Sequence, residues 1–513
     1  MRPAFHPANS VRQSMSWVHT WFGLVLCWVM YFMFVTGTLG YFDHEIDQWM
    51  KPEVPVNQNI PLMDSVQIGE RYLYERGEGA ELWQIWPVRE RNNTLLYVSW
   101  RGPDGRDHAD IDAATGELVD THIRDTGGGQ TLYRMHYILH YIDRDIAFKI
   151  IGVITVMMFI GVLSGIVIHR KIFKDFFTFR PQKAGSKWLD LHNLASVSTL
   201  PFQLMISYSG LLFAVTTFLP LIAIGGLGFN EDVIREEVPK IFNRIEIPRS
   251  GIDAPLIPMT RIVEQLEDID PNYVRNINVY APGDRNALVV VTLADSISTR
   301  SADVIHFDGV TGEWIKRESR ASNTAIVFYA VLTGLHEGLF AGPLLRWLYF
   351  LSGILGALMI ATGAIYWLEK RRKKYQKRVV PSGFKLVENL NIGTIVGLIT
   401  AIGAYFWANR LLPLDVSHRA DWEVHCMFLV WLVCLIHPFI WRNKMRAWAE
   451  QCWLAAAVYL PLPLVNYLTT GQSILHYFQD NNRALFGFEL VVLTVGIFMM
   501  YAAKTIRAKD VAS

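Results

Sequence analysis

The stretch SWVHTWFGLVLCWVMYFMFVTGTLGY (Ser16–Tyr41) holds no Asp, Glu, Lys or Arg. It exceeds the roughly 20 apolar residues that cross the hydrocarbon core of a bilayer, so it reads as a membrane span. The whole chain agrees. Of its 513 residues, 51% are hydrophobic and 19% charged, where soluble domains carry about 25% charge, and the mean hydropathy is +0.21. Taking the first span as Trp17–Tyr41, seven further stretches read the same way: Ile146–Ile168, Leu194–Leu221, Leu344–Leu368, Ile392–Trp407, Trp422–Ile440, Trp453–Tyr467 and Leu485–Tyr501. His437-Pro438 interrupts the sixth span near its end. The expected fold is a multi-span α-helical membrane protein of about eight spans.

Lys and Arg gather in every second connection: Arg2 and Arg12; Arg170 to Lys187; Lys370 to Arg378; Arg442, Lys444 and Arg446; and Lys504, Arg507 and Lys509. Positive charge stays on the cytoplasmic side, so both termini are expected there. No small-residue cleavage site follows the first span, which therefore reads as a retained anchor. Two long outward loops alternate apolar and polar residues, as in Leu95–Trp100 and Ala287–Thr292, and each is expected to form a small periplasmic α+β domain. The expected organisation is residues 1–41 (N-terminus and first span), 42–145 (first periplasmic domain), 146–221 (second and third spans with a basic loop), 222–343 (second periplasmic domain), 344–372 (fourth span) and 373–513 (a four-span block).

Several functions are excluded at this level. A net charge of +1, from 48 basic and 47 acidic residues, gives no general basic surface for nucleic acid. Cys27, Cys426, Cys434 and Cys452 show no C-x-x-C spacing, which argues against a zinc knuckle, a dithiol redox pair and covalent c-type haem. Without a G-x-G-x-x-G after a strand or a P-loop, no nucleotide or flavin domain is expected. Cytoplasmic electrons would then come from a partner reductase or from the quinol pool.

The opening stretch recurs. His19 precedes Gly37 by 18 positions, and His192 precedes Gly210 by the same interval, each histidine standing just after a tryptophan, Trp17 or Trp188. The loops that follow share Asp112-Ala113-Ala114-Thr115-Gly116-Glu117 and Asp308-Gly309-Val310-Thr311-Gly312-Glu313. Each then reaches a histidine, His136 in Leu132–His136 and His336 in Leu335–Gly338. Ser164-Gly165 lies four residues before His169, and Thr362-Gly363 four before Trp367. Helix, domain and helix thus read as one unit used twice.

A duplicated unit packed about a pseudo-two-fold axis brings equivalent residues together. His19 would face His192 in the cytoplasmic half. His136, or His140 one helical turn on, would face His336 in the periplasmic half. Two imidazoles from different helices supply the axial ligands of a non-covalent haem b, and a polar side chain in a membrane usually marks a function. One such pair at each face is the arrangement of a transmembrane electron wire. The expectation is two haems, or three if His140 and His169 also ligate. A metal transporter would want Asp, Glu or Cys within the spans. A proton relay would want a polar chain, where the span interiors offer mainly Gly, Ser and Thr that let helices or a flat macrocycle approach closely. His6, His44, His108, His122, His306, His418, His425, His437 and His476 take structural roles. Arg12, Arg134, Arg170 and Arg346 are candidates for haem propionates or for interfacial anchors. Arg170–Arg180 reads as a helix lying on membrane lipid.

At these residues the chain resembles the PepSY-associated transmembrane family, often called iron-regulated membrane proteins. The likeness rests on W-x-H…T-G at Trp17–Gly37, Leu132–His136, the Ser-Gly of the second span, Asp190-Leu191-His192, and Leu335-His336-Glu337-Gly338, over roughly residues 10–372. The D-x-x-T-G-E turns are similar to those of PepSY domains. The resemblance implies a ferric-siderophore reductase that carries electrons through haem b to iron held in a periplasmic ferric chelate, with His19 and His192 on the cytoplasmic ligand motif and His136 and His336 on the periplasmic one. Hard oxygen ligands hold Fe(III) far better than Fe(II), so one electron releases the metal. Two other readings remain open: a haem-free anchor displaying PepSY domains to a periplasmic peptidase, and a di-haem donor to another periplasmic reductase. The four-span block after Lys370 departs from the shorter members of the family.

Overall fold

A computed structural model describes residues 10–55, 60–89, 95–102, 105–119, 123–169, 187–227, 247–269, 271–293, 303–318, 324–375 and 379–511. The helix expected over Arg170–Arg180 lies outside the described residues. The chain divides into two compact units. One comprises Met1–Pro52, Arg124–Thr217 and Ala341–Ser513; the other comprises Glu53–Ile123 and Phe218–Phe340.

The first unit is helical. Its helices are α1 (Val11–Leu39), α2 (Asp43–Met50), α3 (Gly128–Met135), α4 (Arg144–Ile168), α5 (Lys187–Ser198), α6 (Leu200–Leu227, which belongs here as far as Thr217), α7 (Pro343–Tyr375), α8 (Ser382–Ile395), α9 (Gly397–Leu411), α10 (Arg419–Ile440), α11 (Lys444–Tyr459), α12 (Leu462–Thr470), α13 (Ile474–Gln479) and α14 (Arg483–Val511). Local chemistry sets several starts. Ser10 is extended and its side chain accepts from the Gln13 N–H, while the Asp143 side chain accepts from the N–H groups of Asp145 and Ile146. α1 lies between α4 and α7, α5 packs on α7, and α11 pairs with α14.

Seven helical segments among the described residues are long and apolar enough to cross a membrane. A further pair, Lys187–Ser198 with Leu200–Ala214, is long and apolar enough only when taken together, and it is bent by 70°. The stretch Leu194–Leu221, expected as the third span, thus contains a sharp bend at Thr199. Pro201 has no N–H to give the carbonyl four residues back, and its ring crowds the preceding turn. Just before the bend, the Thr199 hydroxyl donates to the Ala195 carbonyl at 2.7 Å. The short span expected over Ile392–Trp407 is longer, covering Ser382–Leu411 as α8 and α9 with a break at Val396. His437-Pro438 does not end α10, which runs on to Ile440.

A single apolar core links Tyr31, Phe32 and Phe34 of α1, Trp49 of α2, Leu132 and Met135 of α3, Ile206 of α6, and Tyr405, Phe406, Met427 and Tyr459 of the C-terminal helices. α2 and residues 124–143 thus belong to the helical unit, where the sequence reading had assigned them to the first periplasmic domain. Both are short amphipathic stretches, and their apolar faces are covered here by helices distant in sequence.

The second unit is a sheet flanked by helices. Helix Leu62–Arg76 precedes β1 (Leu82–Trp86), β2 (Leu96–Gly102) and β3 (Gly105–Ile111). Helix Met259–Glu264 precedes β4 (Val274–Tyr280), β5 (Leu288–Leu293), β6 (Val304–Asp308) and β7 (Trp314–Glu318). Each loop was expected to make a domain of its own. Instead the strands form one antiparallel sheet in the order β3-β2-β1-β4-β5-β6-β7, joined where Leu82–Ile85 pair with Ile277–Tyr280. β1 and β4 would otherwise be open edges, and pairing them satisfies their N–H and C=O groups. Trp83, Ile85, Ile277, Val279, Val289 and Phe307 share the core beneath.

The two D-x-x-T-G-E stretches adopt the same turn. Asp112 Oδ1 accepts from Ala114 N, and Asp308 Oδ1 from Val310 N and Thr311 N. Thr115 and Thr311 accept from Glu117 N and Glu313 N. Gly116 and Gly312 sit at φ +74 and +75, a conformation that costs a residue without a side chain little.

Candidate functional site

Three of the histidines singled out in the sequence are held in one recurring arrangement. The Nδ1–H of His19 on α1 donates to the Gly161 carbonyl of α4 at 2.9 Å. His192 on α5 donates to the Met359 carbonyl of α7 at 2.7 Å, and His136, which ends α3, to the Met33 carbonyl of α1 at 2.7 Å. In each case a glycine stands four residues beyond that carbonyl, beneath the ring. A Cβ on Gly165 would lie 3.3 Å from His19, one on Gly363 3.1 Å from His192, and one on Gly37 2.5 Å from His136.

The residue before each glycine bears a hydroxyl that bonds the same carbonyl. Ser164 donates to Gly161 O at 2.8 Å, Thr362 to Met359 O at 3.1 Å, and Thr36 to Met33 O at 3.3 Å. Each hydroxyl thus finds an acceptor inside its own helix, which lets a polar side chain sit in an apolar bundle. A fourth pair, Ser209-Gly210 on α6, has the same internal bonds, with Ser209 Oγ 3.3 Å from Ile206 O.

With Nδ1–H bound to a carbonyl, the tautomer is fixed and the Nε2 lone pair stays available. The His19 and His192 rings lie with centroids 6.2 Å apart and planes at 74°. A metal–imidazole bond is about 2 Å and a ring nitrogen lies about 1 Å from its centroid, so two imidazoles on opposite sides of one ion stand about 6 Å apart. Among the described residues no group of three or more His, Cys, Asp or Glu is placed to hold a metal ion. An ion between His19 and His192 would therefore need its remaining ligands to arrive with it.

The other histidines differ. His140 is exposed, with its ring 6.1 Å from Phe428 and 4.7 Å from Tyr141. His169 caps α4 within electrostatic reach of His192, and its buried Nδ1 has no hydrogen-bond partner among the described residues. Trp367 stands four residues after Gly363 as His169 stands after Gly165, and its Nε1 is also buried and unpartnered among those residues. His336 lies in the last turn of helix Thr324–Glu337, in the second unit. His425 receives or gives a 2.8 Å hydrogen bond with Tyr141, and His437 pairs with Glu450 at 3.0 Å. Arg346 is engaged by Glu45 at 2.8 Å and Arg12 by the Ile168 carbonyl at 3.1 Å, while Arg134 is exposed. Arg170 lies outside the described residues.

From sequence, the serine, threonine and glycine residues of the spans read only as room for close helix packing or for a flat macrocycle. Their part in fixing each ring was missed because the acceptor is a backbone carbonyl, which no residue pattern reports.

This arrangement defines a multi-pass helical membrane protein with paired histidines and a PepSY-like sheet unit. The chain matches the PepSY-associated TM region over residues 16–370 and belongs to that family. No curated protein matches it.

Proposed function

We propose that this chain is a haem b oxidoreductase of the bacterial inner membrane, which passes single electrons across the bilayer to a periplasmic ferric chelate of the siderophore kind. The observation that carries the reading is the pair His19–His192. These are two rings on different helices, 6.2 Å apart, each with Nδ1–H fixed on a carbonyl. The donor set suits a macrocycle that brings four nitrogens of its own, because among the described residues no third His, Cys, Asp or Glu joins the two imidazoles.

Bound haem iron would supply one-electron chemistry between its ferric and ferrous states. The chain's part is to hold it. His19 and His192 would hold it through Nε2, whose basicity their carbonyl bonds raise. Gly165 and Gly363 leave the rings room. His136 has the same support, and the repeat in the sequence makes His336 its counterpart; each is a candidate ligand for a second haem. His140 and His169 become ligands only if a third is present. No base or nucleophile is required.

In this reading the helix–domain–helix unit is duplicated, and the bent pair counts as one of eight spans. Both termini are cytoplasmic and the sheet unit is periplasmic. Quinol or a cytoplasmic reductase supplies the electrons, and the ferric chelate is the substrate.

The test is a visible spectrum of the purified protein, oxidised and reduced with dithionite, with a pyridine haemochrome count. About two b-type haems per chain are expected, with one lost in His19→Ala and one in His336→Ala. A colourless protein from haem-replete cells would overturn the reading and return the peptidase-regulating anchor to the front.

A further inference from the structure

The helices beyond residue 370 lie outside the family match. Two of them hold the short segment that leads into His136. α3 has Gly127 at its N-cap and therefore no capping side chain of its own. The Thr126 hydroxyl accepts from the Gly128 N–H at 3.3 Å, and the other acceptors come from distant helices. Glu423 of α10 accepts from the Gly127 N–H at 3.1 Å and from the Thr126 hydroxyl at 2.5 Å. The Gly129 N–H donates to Asp47 of α2 at 2.8 Å, and the Tyr405 hydroxyl of α9 donates to the Gly128 carbonyl at 2.9 Å. A carboxylate at a helix N-terminus is stabilised by the free N–H groups there and by the helix dipole.

Glu423 is itself fixed. Its side chain is fully buried against Arg419, and Asn409 donates to its other oxygen at 2.9 Å. The same residues hold the chain one step upstream. Arg419 donates to the Asp125 carbonyl at 3.0 Å, and Arg124 donates to the Asn409 carbonyl at 2.8 Å. The run Gly127-Gly128-Gly129 permits the approach. A Cβ at Gly127 would lie 2.6 Å from the Tyr405 hydroxyl, and Gly128 adopts φ +60. The N–H groups of Gly127 and Gly129 and the carbonyl of Gly128 are thus tied to a polar cluster shared by α2, α9 and α10, and one helix of eight residues separates that cluster from His136.

We propose that α9 and α10 are a positioning element for His136, with Glu423 as the N-terminal cap of α3 and Arg419 and Asn409 as the groups that orient it. The proposal rests on the reading of His136 as a haem ligand only for its spectroscopic consequence; the capping role is independent of it.

The experiment uses the full-length protein in detergent. Hydrogen exchange followed by mass spectrometry reports the 128–135 amides, and low-temperature EPR with a redox titration reports each haem. Glu423→Gln keeps an acceptor but loses the charge. Tyr405→Phe removes one hydroxyl and is the milder variant, which decides the matter if Glu423→Gln fails to fold. His437→Ala, in the same block but bonded to Glu450, is the control.

Exchange over 128–135 should rise about tenfold in Glu423→Gln and severalfold in Tyr405→Phe, with 187–198 unchanged, and the g values and potential of one haem alone should move. Unchanged exchange over 128–135, or an equal rise over 187–198, overturns the proposal. Faster exchange with both haem signals unmoved overturns the positioning of His136. A colourless wild type would sink the haem reading instead, and the exchange data would still decide whether Glu423 caps α3.

Discussion

The imidazole of His192 rests on Gly363: a Cβ there would lie 3.1 Å from the ring, whose Nδ1–H is bonded to the carbonyl of Met359 one turn earlier. Gly165 and Gly37 bear the same relation to His19 and His136, at 3.3 and 2.5 Å. Alanine at these positions should therefore act in graded order. Gly165→Ala should be tolerated with a small spectral shift. Gly363→Ala should weaken haem retention, and Gly37→Ala should displace His136 outright, at about 1–3 kcal/mol for an overpacked site. Haem content and thermal unfolding of the three variants would check the order; equal loss in all three would refute it.

His136 and His140 are separable by the same logic. Only His136 has a carbonyl acceptor and a glycine beneath it, whereas His140 is exposed against Phe428 and Tyr141. His136→Ala is expected to remove one of two haem signals. His140→Ala should leave the reduced spectrum and both potentials in place, with a stability change within about 0.5 kcal/mol, as for an ordinary surface substitution. Loss of a signal in His140→Ala would exchange their roles.

Much of this was legible because it is local. The 18-residue interval from His19 to Gly37 recurs from His192 to Gly210, and the D-x-x-T-G-E turns carry their own hydrogen-bonding side chains, so neither needs a distant partner. What escaped was non-local. β1 and β4 join two loops separated by a long stretch of helical chain, and their pairing leaves no mark in the alternation of either strand. The start of α8 was missed because Glu388, Asn389 and Asn391 dilute an apolar window. Asn389 and Asn391 are buried within the bundle, and a span that faces protein need not be apolar throughout. The α10 carboxylate Glu423 gave no signal at all, since its partners at Thr126 and Gly127 lie almost 300 residues earlier.

The sheet unit should respond to acid through Asp284. Burial raises its carboxyl, but hydrogen bonds from Asn286 N, Ser250 N, Ser250 Oγ and Gly251 N together outweigh that and hold it well below the usual carboxylate range. The unfolded value is near 3.9, so the folded carboxylate contributes stability that is fully present above about pH 5 and is lost as pH falls through that value towards the folded one. Amide exchange over 250–286 should be flat from pH 7 to 5, after correction for intrinsic rates, and rise below pH 4. Asp284→Asn should exchange faster at pH 7 and show a weaker acid limb. An unchanged acid limb in the variant would assign the effect to other carboxylates, Asp308 first among them.

Arg419 and Glu423 form an ion pair with both side chains fully buried. Removing one partner of such a pair leaves a desolvated charge behind, which costs about 3–5 kcal/mol. Arg419→Met should therefore lower the unfolding midpoint of the helical unit by more than Arg446→Met, whose pair with Glu450 is half exposed and worth under about 1 kcal/mol. The two arginines also differ in what they touch. Arg419 donates to the carbonyls of Asp125, Asn409 and Leu412 as well, so its loss frees the segment before α3 as well as α10 itself. Thermal unfolding in detergent, with exchange at 124–135 as the local readout, separates the outcomes. A large fall in midpoint with faster exchange over 124–135 is expected for Arg419→Met and neither for Arg446→Met. Equal midpoints for the two variants would mean that the buried pair is neutralised by other means and does not hold α10 to the start of α3.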